Sequence, residues 1–549
     1  MNFSLSRPNS WVIGTLLVSF MLILPVLSVF YLAFGTTGEI WRHLVDTSLS
    51  LYVSSTIALM FGVGLIVFVT GVSTAWLVTM CRFPGCSTFE WLLIFPLAFP
   101  SYVVAYAYTD LLEYAGPIQS VLRAMFGWNS PLDYWFPEIR TLGGAMLMMG
   151  FVLYPYVYLM ARSAFLEMSV NVLEVQRVLG GNAWQIFNRV AFPSARPAIA
   201  VGVSLALMET MNDYGTVDYF AVSTMTVGLI DVWLGMGSLA GAAQIAVLML
   251  TFIMALVLIE RTARANQKLY QQPRSRFQKL PTYELRGARA WLSVSVCLLP
   301  VLTGFVIPLL VLMNLAVNYF DRSWSSDYFT LVINSVTLSA SAALFVVILS
   351  LFLAYGGRLS KSRFLVSLTK LCRLGYAVPG AVLAIGIIVP MAFLDNSIDA
   401  WFRAHIGIST GLLLTGSVTA VIYAYVVRFL VLGLGQVESS LAKISPSMDM
   451  AARTLGNKPG QVLIRFHLPV IKGGVLVASM LVFVDCMKEL PATLLLRPFN
   501  FETLATHVYL FASDEMLGEA ALGSVSIVAV GLLPVIFLSI MVKRSRSLK

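Results

Sequence analysis

Two stretches of a very apolar chain concentrate ionisable residues: ETMNDYGTVDYF, Glu209–Phe220, and DCMKELPATLLLRP, Asp485–Pro498. An ionisable side chain inside a membrane span costs at least about 2.5–3.5 kcal/mol on insertion scales, so it turns to a cavity or a partner. Asp485, Lys488 and Glu489 stand at i, i+3 and i+4, one face of a helix, where Lys488 can neutralise a carboxylate. Glu209 and Asp213 repeat the four-residue spacing. Gly215 and Pro491 interrupt the helix just beyond, and paired interruptions of this kind mark a central pathway in transporters. These five residues are candidates for lining or gating a pathway. The alternative is a polar lock between segments.

Other chemistry is poorly supported. His43, His405, His467 and His507 are isolated. The five cysteines are scattered, and the C-x4-C of Cys81 and Cys86 has no second pair, so neither zinc nor a disulfide framework follows. No H-E-x-x-H and no G-x-x-x-x-G-K-[ST] occurs. GISTG, Gly407–Gly411, fits the G-x-S-x-G spacing but opens an apolar span without the strand-to-helix turn of a nucleophile elbow. An enzyme is therefore not expected, nor a cofactor bound by this chain.

The elements that must position the charged residues are membrane helices. The 549 residues are 58% hydrophobic and 11% charged, against roughly a quarter charged in soluble domains. At about 20 apolar residues per crossing, twelve spans are expected. They lie near 11–35, 51–79, 88–109, 141–163, 197–219, 240–259, 291–318, 330–356, 375–394, 409–433, 473–495 and 521–542. The fold class is all-α and polytopic. Residues 223–239 have room for a short re-entrant or periplasmic helix.

The net charge of +9 falls in short loops, which fits topology better than a nucleic-acid partner. The segments after even-numbered spans are basic, including the linker with Arg261, Arg264, Lys268, Arg274, Arg276, Lys279, Arg286 and Arg289. Basic loops stay in the cytoplasm, so both termini are expected inside.

Two cytoplasmic segments echo each other at a shift of 276 positions: EVQRVLGGNAWQIFNRVAFP, Glu174–Pro193, and MAARTLGNKPGQVLIRFHLP, Met450–Pro469. Arg177 falls on Arg453, Gly180 on Gly456, Arg189 on Arg465 and Pro193 on Pro469. The shift also carries Glu209 onto Asp485 and Asp213 onto Glu489. The chain thus reads as a first module 1–260, a basic linker 261–290 and a second module 291–549. Each repeat is expected to be helix, Gly turn, capped helix and Pro stop. Asn182 with Gln185, and Asn457 in the second copy, are the expected caps. An apolar helix face in the cytoplasm suits a groove on a partner, or headgroups.

These residues resemble the permease subunits of binding-protein-dependent ABC importers, marked by Glu-Ala-Ala, three residues, Gly, nine residues, Ile, one residue, Leu-Pro. The first copy supplies Glu174, Gly180, Val190, Phe192 and Pro193; the second supplies Ala451, Ala452, Gly456, Phe466, Leu468 and Pro469. Val175-Gln176 replace the alanines in one and Met450 replaces the acid in the other. The resemblance implies that Glu174, Arg177, Gly180, Arg189, Pro193, Arg453, Gly456, Arg465 and Pro469 belong to coupling segments. These would seat two copies of a separate cytoplasmic ATPase, which would use the ATP. It also implies a periplasmic binding protein and a bacterial inner membrane.

KELPATLLLRP and ETMNDYGTVDYF further resemble fused ferric-iron permeases, which implies Fe³⁺ as cargo. Aspartate and tyrosine oxygens suit a hard cation, and Tyr102, Tyr106, Tyr108, Tyr214 and Tyr219 are available, although tyrosines at span ends also anchor helices at the interface. Thiamine, sulfate or a polyamine are the alternative cargoes. An ion-gradient transporter is the rival class, and it leaves the doubled segment unexplained.

Overall fold

A computed structural model describes residues 10–168, 170–265, 282–359, 365, 368–369 and 372–547. Lys268, Arg274, Arg276 and Lys279 of the linker lie outside the described residues. Most of the described chain is helix, joined by turns and loops, and the strand structure among the described residues is a two-residue parallel bridge, Cys81–Arg82 with Tyr283–Glu284. Eleven helices among the described residues are long and apolar enough to cross a membrane. The bent pair Cys86–Ala98 and Ser101–Phe126, with 92° between its limbs, is apolar enough to count as a twelfth only when its two limbs are taken together. Pro96 and Pro100 sit at that bend, where a 3-10 turn, Phe95–Ala98, gives way to helix Ser101–Leu112. Proline removes a donor and pushes the residue before it to extended backbone, and Phe99 is extended with φ −85° and ψ 133°.

Several limits differ from the sequence reading. The ninth span runs from Gly380 to Ile406, so residues 395–405 are helix rather than loop. Asp395 explains the extension: its carboxylate accepts from the backbone N–H groups of Leu413, Leu414 and Thr415 at 2.7–3.1 Å, holding the connection beside the helix. GISTG lies in that connection, and the tenth span begins later, at Val418. Short helices Met225–Ile230 and Leu504–Ser513 follow the fifth and eleventh spans. Each is tied to a long span by one buried hydroxyl: Thr56 accepts from the Met225 N–H and Ser335 from the Leu504 N–H, both across 169 positions.

The chain divides into two compact units. One comprises residues 1–38, 229–247 and 325–507; the other comprises 39–228, 248–324 and 508–549. Within the first unit, the first span Ser10–Ala33 lies on the eighth and ninth. Trp11 stacks on Phe352 at 5.0 Å, and the Tyr423 hydroxyl donates to the Met21 carbonyl. Within the second unit, the seventh span, Ala288–Asn318, packs on the second, on the broken third and on the twelfth. There Tyr108 donates to the Thr303 carbonyl at 2.7 Å, and a side chain at Gly304 would strike the Phe151 carbonyl. Gly71 and Gly202 bring the second and fifth spans onto Val157 of the fourth, the small-residue packing of membrane bundles. Phe61, Leu65 and Ile333 project outward, as a lipid-facing surface requires.

Candidate functional site

The repeated segments fold alike. In the first, helix Val170–Val178 ends at Gly180, whose φ of +79° is the left-handed value that favours glycine. A short helix, Ala183–Ile186, follows. Asn182 accepts from the Gln185 N–H at 2.8 Å, and Gln185 accepts from the Asn182 N–H at 3.1 Å, a reciprocal capping box. In the second, helix Pro446–Thr454 ends at Gly456, with φ +80°, and a short helix begins at Pro459. The cap here is one residue later than the sequence suggested. Lys458 takes the N-cap position, its N–H donating to the Gln461 side chain at 2.9 Å. Asn457 instead reaches back to the Ala452 carbonyl at 3.1 Å.

The expected stops at Pro193 and Pro469 do not occur. Each proline follows a π-turn, Phe187–Ala191 or Leu463–His467, and lies in the first turn of a long helix, Phe192–Asn212 or Leu468–Met487. The N–H groups of Phe192 and Leu468 bond five residues back, to Phe187 and Leu463. One widened turn makes room for the ring, so the helix continues. The fifth and eleventh spans therefore start at Ala183 and Pro459 rather than near 197 and 473.

Both segments leave apolar side chains uncovered. Val178, Leu179 and Trp184 are 87%, 74% and 68% exposed in the first; Leu455, Ile464 and Met450 are 75%, 65% and 62% exposed in the second. Glu174, Arg189, Arg453 and Arg465 are exposed around them, while Arg177 lies over the Tyr283 ring at 4.3 Å. The anchoring of the second segment has a different chemistry. Asp449 lies 2.7 Å from the Arg358 guanidinium and 2.6 Å from Nε2 of the buried His467. Arg358 also donates to the carbonyls of Leu441 and Ile444, and Tyr355 donates to that of Pro459. This network joins the eighth span, the end of the tenth and both arms of the segment. At the 276-residue shift, Leu173 and Ala191 occupy the places of Asp449 and His467.

The five intramembrane charges divide into two kinds. Helix Leu468–Met487 ends before Lys488, so the single face expected for Asp485, Lys488 and Glu489 does not persist. Asp485 pairs with Lys488 at 2.9 Å, both partly exposed. Glu489 turns away into the core, where its carboxylate meets Arg428 of the tenth span at 3.0 Å, both side chains almost wholly buried. The Glu489 carboxylate also accepts from the N–H groups of Ala492 and Thr493, capping helix Pro491–Leu496. Asp213 has the matching task in the first copy, accepting from the Thr216 N–H at 2.8 Å at the head of helix Gly215–Tyr219. Glu209 is on the last turn of Phe192–Asn212 and partly exposed.

Sequence reasoning missed Arg428, Asp449 and His467 as partners. Arg428 had a signal, since a lone arginine in an apolar span requires one.

Residues 85–262 match the family described as binding-protein-dependent transport system inner membrane component. The chain is similar to the Fe(3+)-transport system permease protein FbpB 2 of Haemophilus influenzae, 23% identical over 97% of this chain and 98% of that protein. The putative ferric transport system permease protein FbpB 1 of the same organism is 23% identical over 88% of this chain and 76% of its own length. The sulfate transport system permease protein CysW of Escherichia coli is 29% identical, over 39% of this chain and 72% of its own length.

Proposed function

We propose, from the premise that this chain is a fused two-module permease of binding-protein-dependent transport systems, that it carries ferric iron across the inner membrane. The observation that carries the iron reading is collinearity. A relative named for Fe(3+) transport aligns with 97% of the chain, whereas the sulfate permease aligns with 39%. A periplasmic binding protein delivers the ion, and both termini lie in the cytoplasm. In this reading the sequence divides functionally into modules 1–260 and 291–549 joined by the linker 261–290.

Two copies of a cytoplasmic ATPase dock on the two repeated segments and hydrolyse ATP; this chain binds none itself. Support comes from the exposed apolar side chains on each segment, framed by basic residues. Such a face suits a hydrophobic groove on a partner. Glu209, Asp485 and Lys488, partly exposed, serve the pathway. Asp213 and Glu489 hold the helices that flank it.

The test is uptake by sealed vesicles holding the chain with its ATPase. Labelled Fe³⁺ is expected to accumulate only when binding protein and ATP are both present. Accumulation of sulfate, thiamine or a polyamine in its place overturns the iron reading. Accumulation driven by an ion gradient without ATP overturns the ATP-driven one.

A further inference from the structure

Within the second unit, five tyrosines and two aspartates converge from three stretches of chain. Tyr102 and Tyr106 come from helix Ser101–Leu112, and Asp213, Tyr214, Asp218 and Tyr219 come from the turn and short helix after the fifth span. Tyr509 comes from helix Leu504–Ser513. The Tyr509 hydroxyl donates to Asp218 Oδ2 at 2.6 Å and lies 3.4 Å from the Tyr214 hydroxyl. Tyr106 packs edge-on to Tyr219 at 4.5 Å and beside Tyr102 at 5.7 Å.

The Tyr106 hydroxyl is the exceptional group. The residue is 2% exposed, and its oxygen has no hydrogen-bond partner. Its electrostatic neighbours are Tyr102, Tyr509, Asp213 and Tyr219, so it points into the cluster. A buried hydroxyl without a partner carries an uncompensated desolvation penalty, and such exceptions ask for a reason. At one margin, Arg140 donates to the Tyr219 hydroxyl at 3.3 Å and pairs with Glu113 and Glu515, the latter 77% exposed. The cluster thus connects to the surface through a guanidinium paired with two carboxylates.

We infer that Tyr106, Tyr509 and Asp218, with Tyr214 and Asp213 beside them, form a transit site that ligates ferric ion by phenolate and carboxylate oxygens. The inference rests on the iron reading above and adds the ligands to it. Carboxylate oxygens favour hard cations, and a ligand must lose its proton to bind a metal. The hydrogen bond from Tyr509 to Asp218 provides for that. As the metal–oxygen bonds form, the Tyr509 proton passes to Oδ2 of Asp218, which keeps Oδ1 for the metal, and the Tyr106 proton passes to the Asp213 carboxylate, with no change in oxidation state. Departure of the ion returns each proton to its phenol. The Tyr509–Asp218 pair is thereby satisfied when empty and when loaded, and the Tyr106 hydroxyl gains a partner only with the ion.

The test uses the full complex and Tyr→Phe variants, which keep each ring and remove one oxygen. Fe³⁺-nitrilotriacetate added to the purified wild-type complex is expected to give a visible phenolate-to-iron charge-transfer band. Tyr106→Phe and Tyr509→Phe should diminish it. Binding-protein- and ATP-dependent iron uptake should fall about 10–100-fold, the usual effect of disturbing a metal's ligand environment. A structural role for Tyr106 predicts the reverse. Its hydroxyl bonds to nothing, so Tyr106→Phe should leave melting temperature and uptake unchanged or improved. Wild-type iron uptake with no band, and with normal uptake by both variants, overturns the site and leaves the iron reading standing. Absence of wild-type iron uptake overturns the iron reading and the site with it.

Discussion

Gly456→Pro is expected to abolish ATP-driven uptake while the protein still inserts, and Gly180→Pro to have the same effect. Both glycines have φ near +80°, which proline, fixed near −65°, cannot adopt. Each also donates its N–H, Gly180 to the Arg177 carbonyl at 3.0 Å and Gly456 to the Arg453 carbonyl at 2.9 Å, and proline removes that donor. A Cβ at either position would meet nothing within 4 Å, so the damage is confined to the turn. Alanine isolates the backbone term at about 1–2 kcal/mol and is expected to leave partial transport. The order Gly, Ala, Pro should appear in uptake rate and in the amount of ATPase recovered with the purified protein. Normal transport by both proline variants would falsify the docking role.

Arg428→Met strands Glu489 in the core and lowers stability by about 3–5 kcal/mol, the usual effect of removing one partner of a buried ion pair. The pair is closely enclosed. Gly380 lies over the pair so closely that a Cβ there would come within 2.6 Å of the Glu489 carboxylate and 2.8 Å of the guanidinium. The double variant Arg428→Met, Glu489→Gln should recover part of the loss, because no charge remains and the glutamine oxygen keeps one of the two cap bonds, to Ala492 or to Thr493. Thermal unfolding of the detergent-solubilised complex reads both. A single variant as stable as wild type would show that the pair does not hold the helices. Asp485→Asn, which removes a carboxylate from a partly exposed pair, is expected to change stability far less.

Much of this was legible in the sequence, because it rests on local rules. Twelve apolar runs followed from bilayer thickness. The turns at Gly180 and Gly456, and the capping box of Asn182 and Gln185, followed from residues a few positions apart. The prolines misled because a proline read alone ends a helix, whereas the π-turns before Pro193 and Pro469 depend on the helix having somewhere to continue. Residues 395–405 fall outside the apolar run that ends near 394; Asp395 makes them helix by bonding to a backbone almost twenty positions away. Glu489 with Arg428, Asp449 with His467 and Tyr509 with Asp218 are pairings across spans. No periodicity encodes them, since each partner is set by which helices become neighbours.

The unbroken passage of the helix through Pro193 has a mechanical meaning. From Ala183 to Asn212 the chain is a single rod of 30 residues, about 45 Å long at 1.5 Å per residue. Its twin, Pro459–Met487, has 29. One end of each carries the glycine turn; the other delivers the carboxylate, Asp213 or Glu489, that seats the next helix. A hinge at the proline would have absorbed a push within one turn. A rod converts it into a tilt at the far end, and only the widened turn yields along the way. The twin is pinned at that end by Arg428, where the first rod's half has Val152. The far ends of the two rods are therefore held by different chemistry, an ion pair in one and a backbone cap alone in the other.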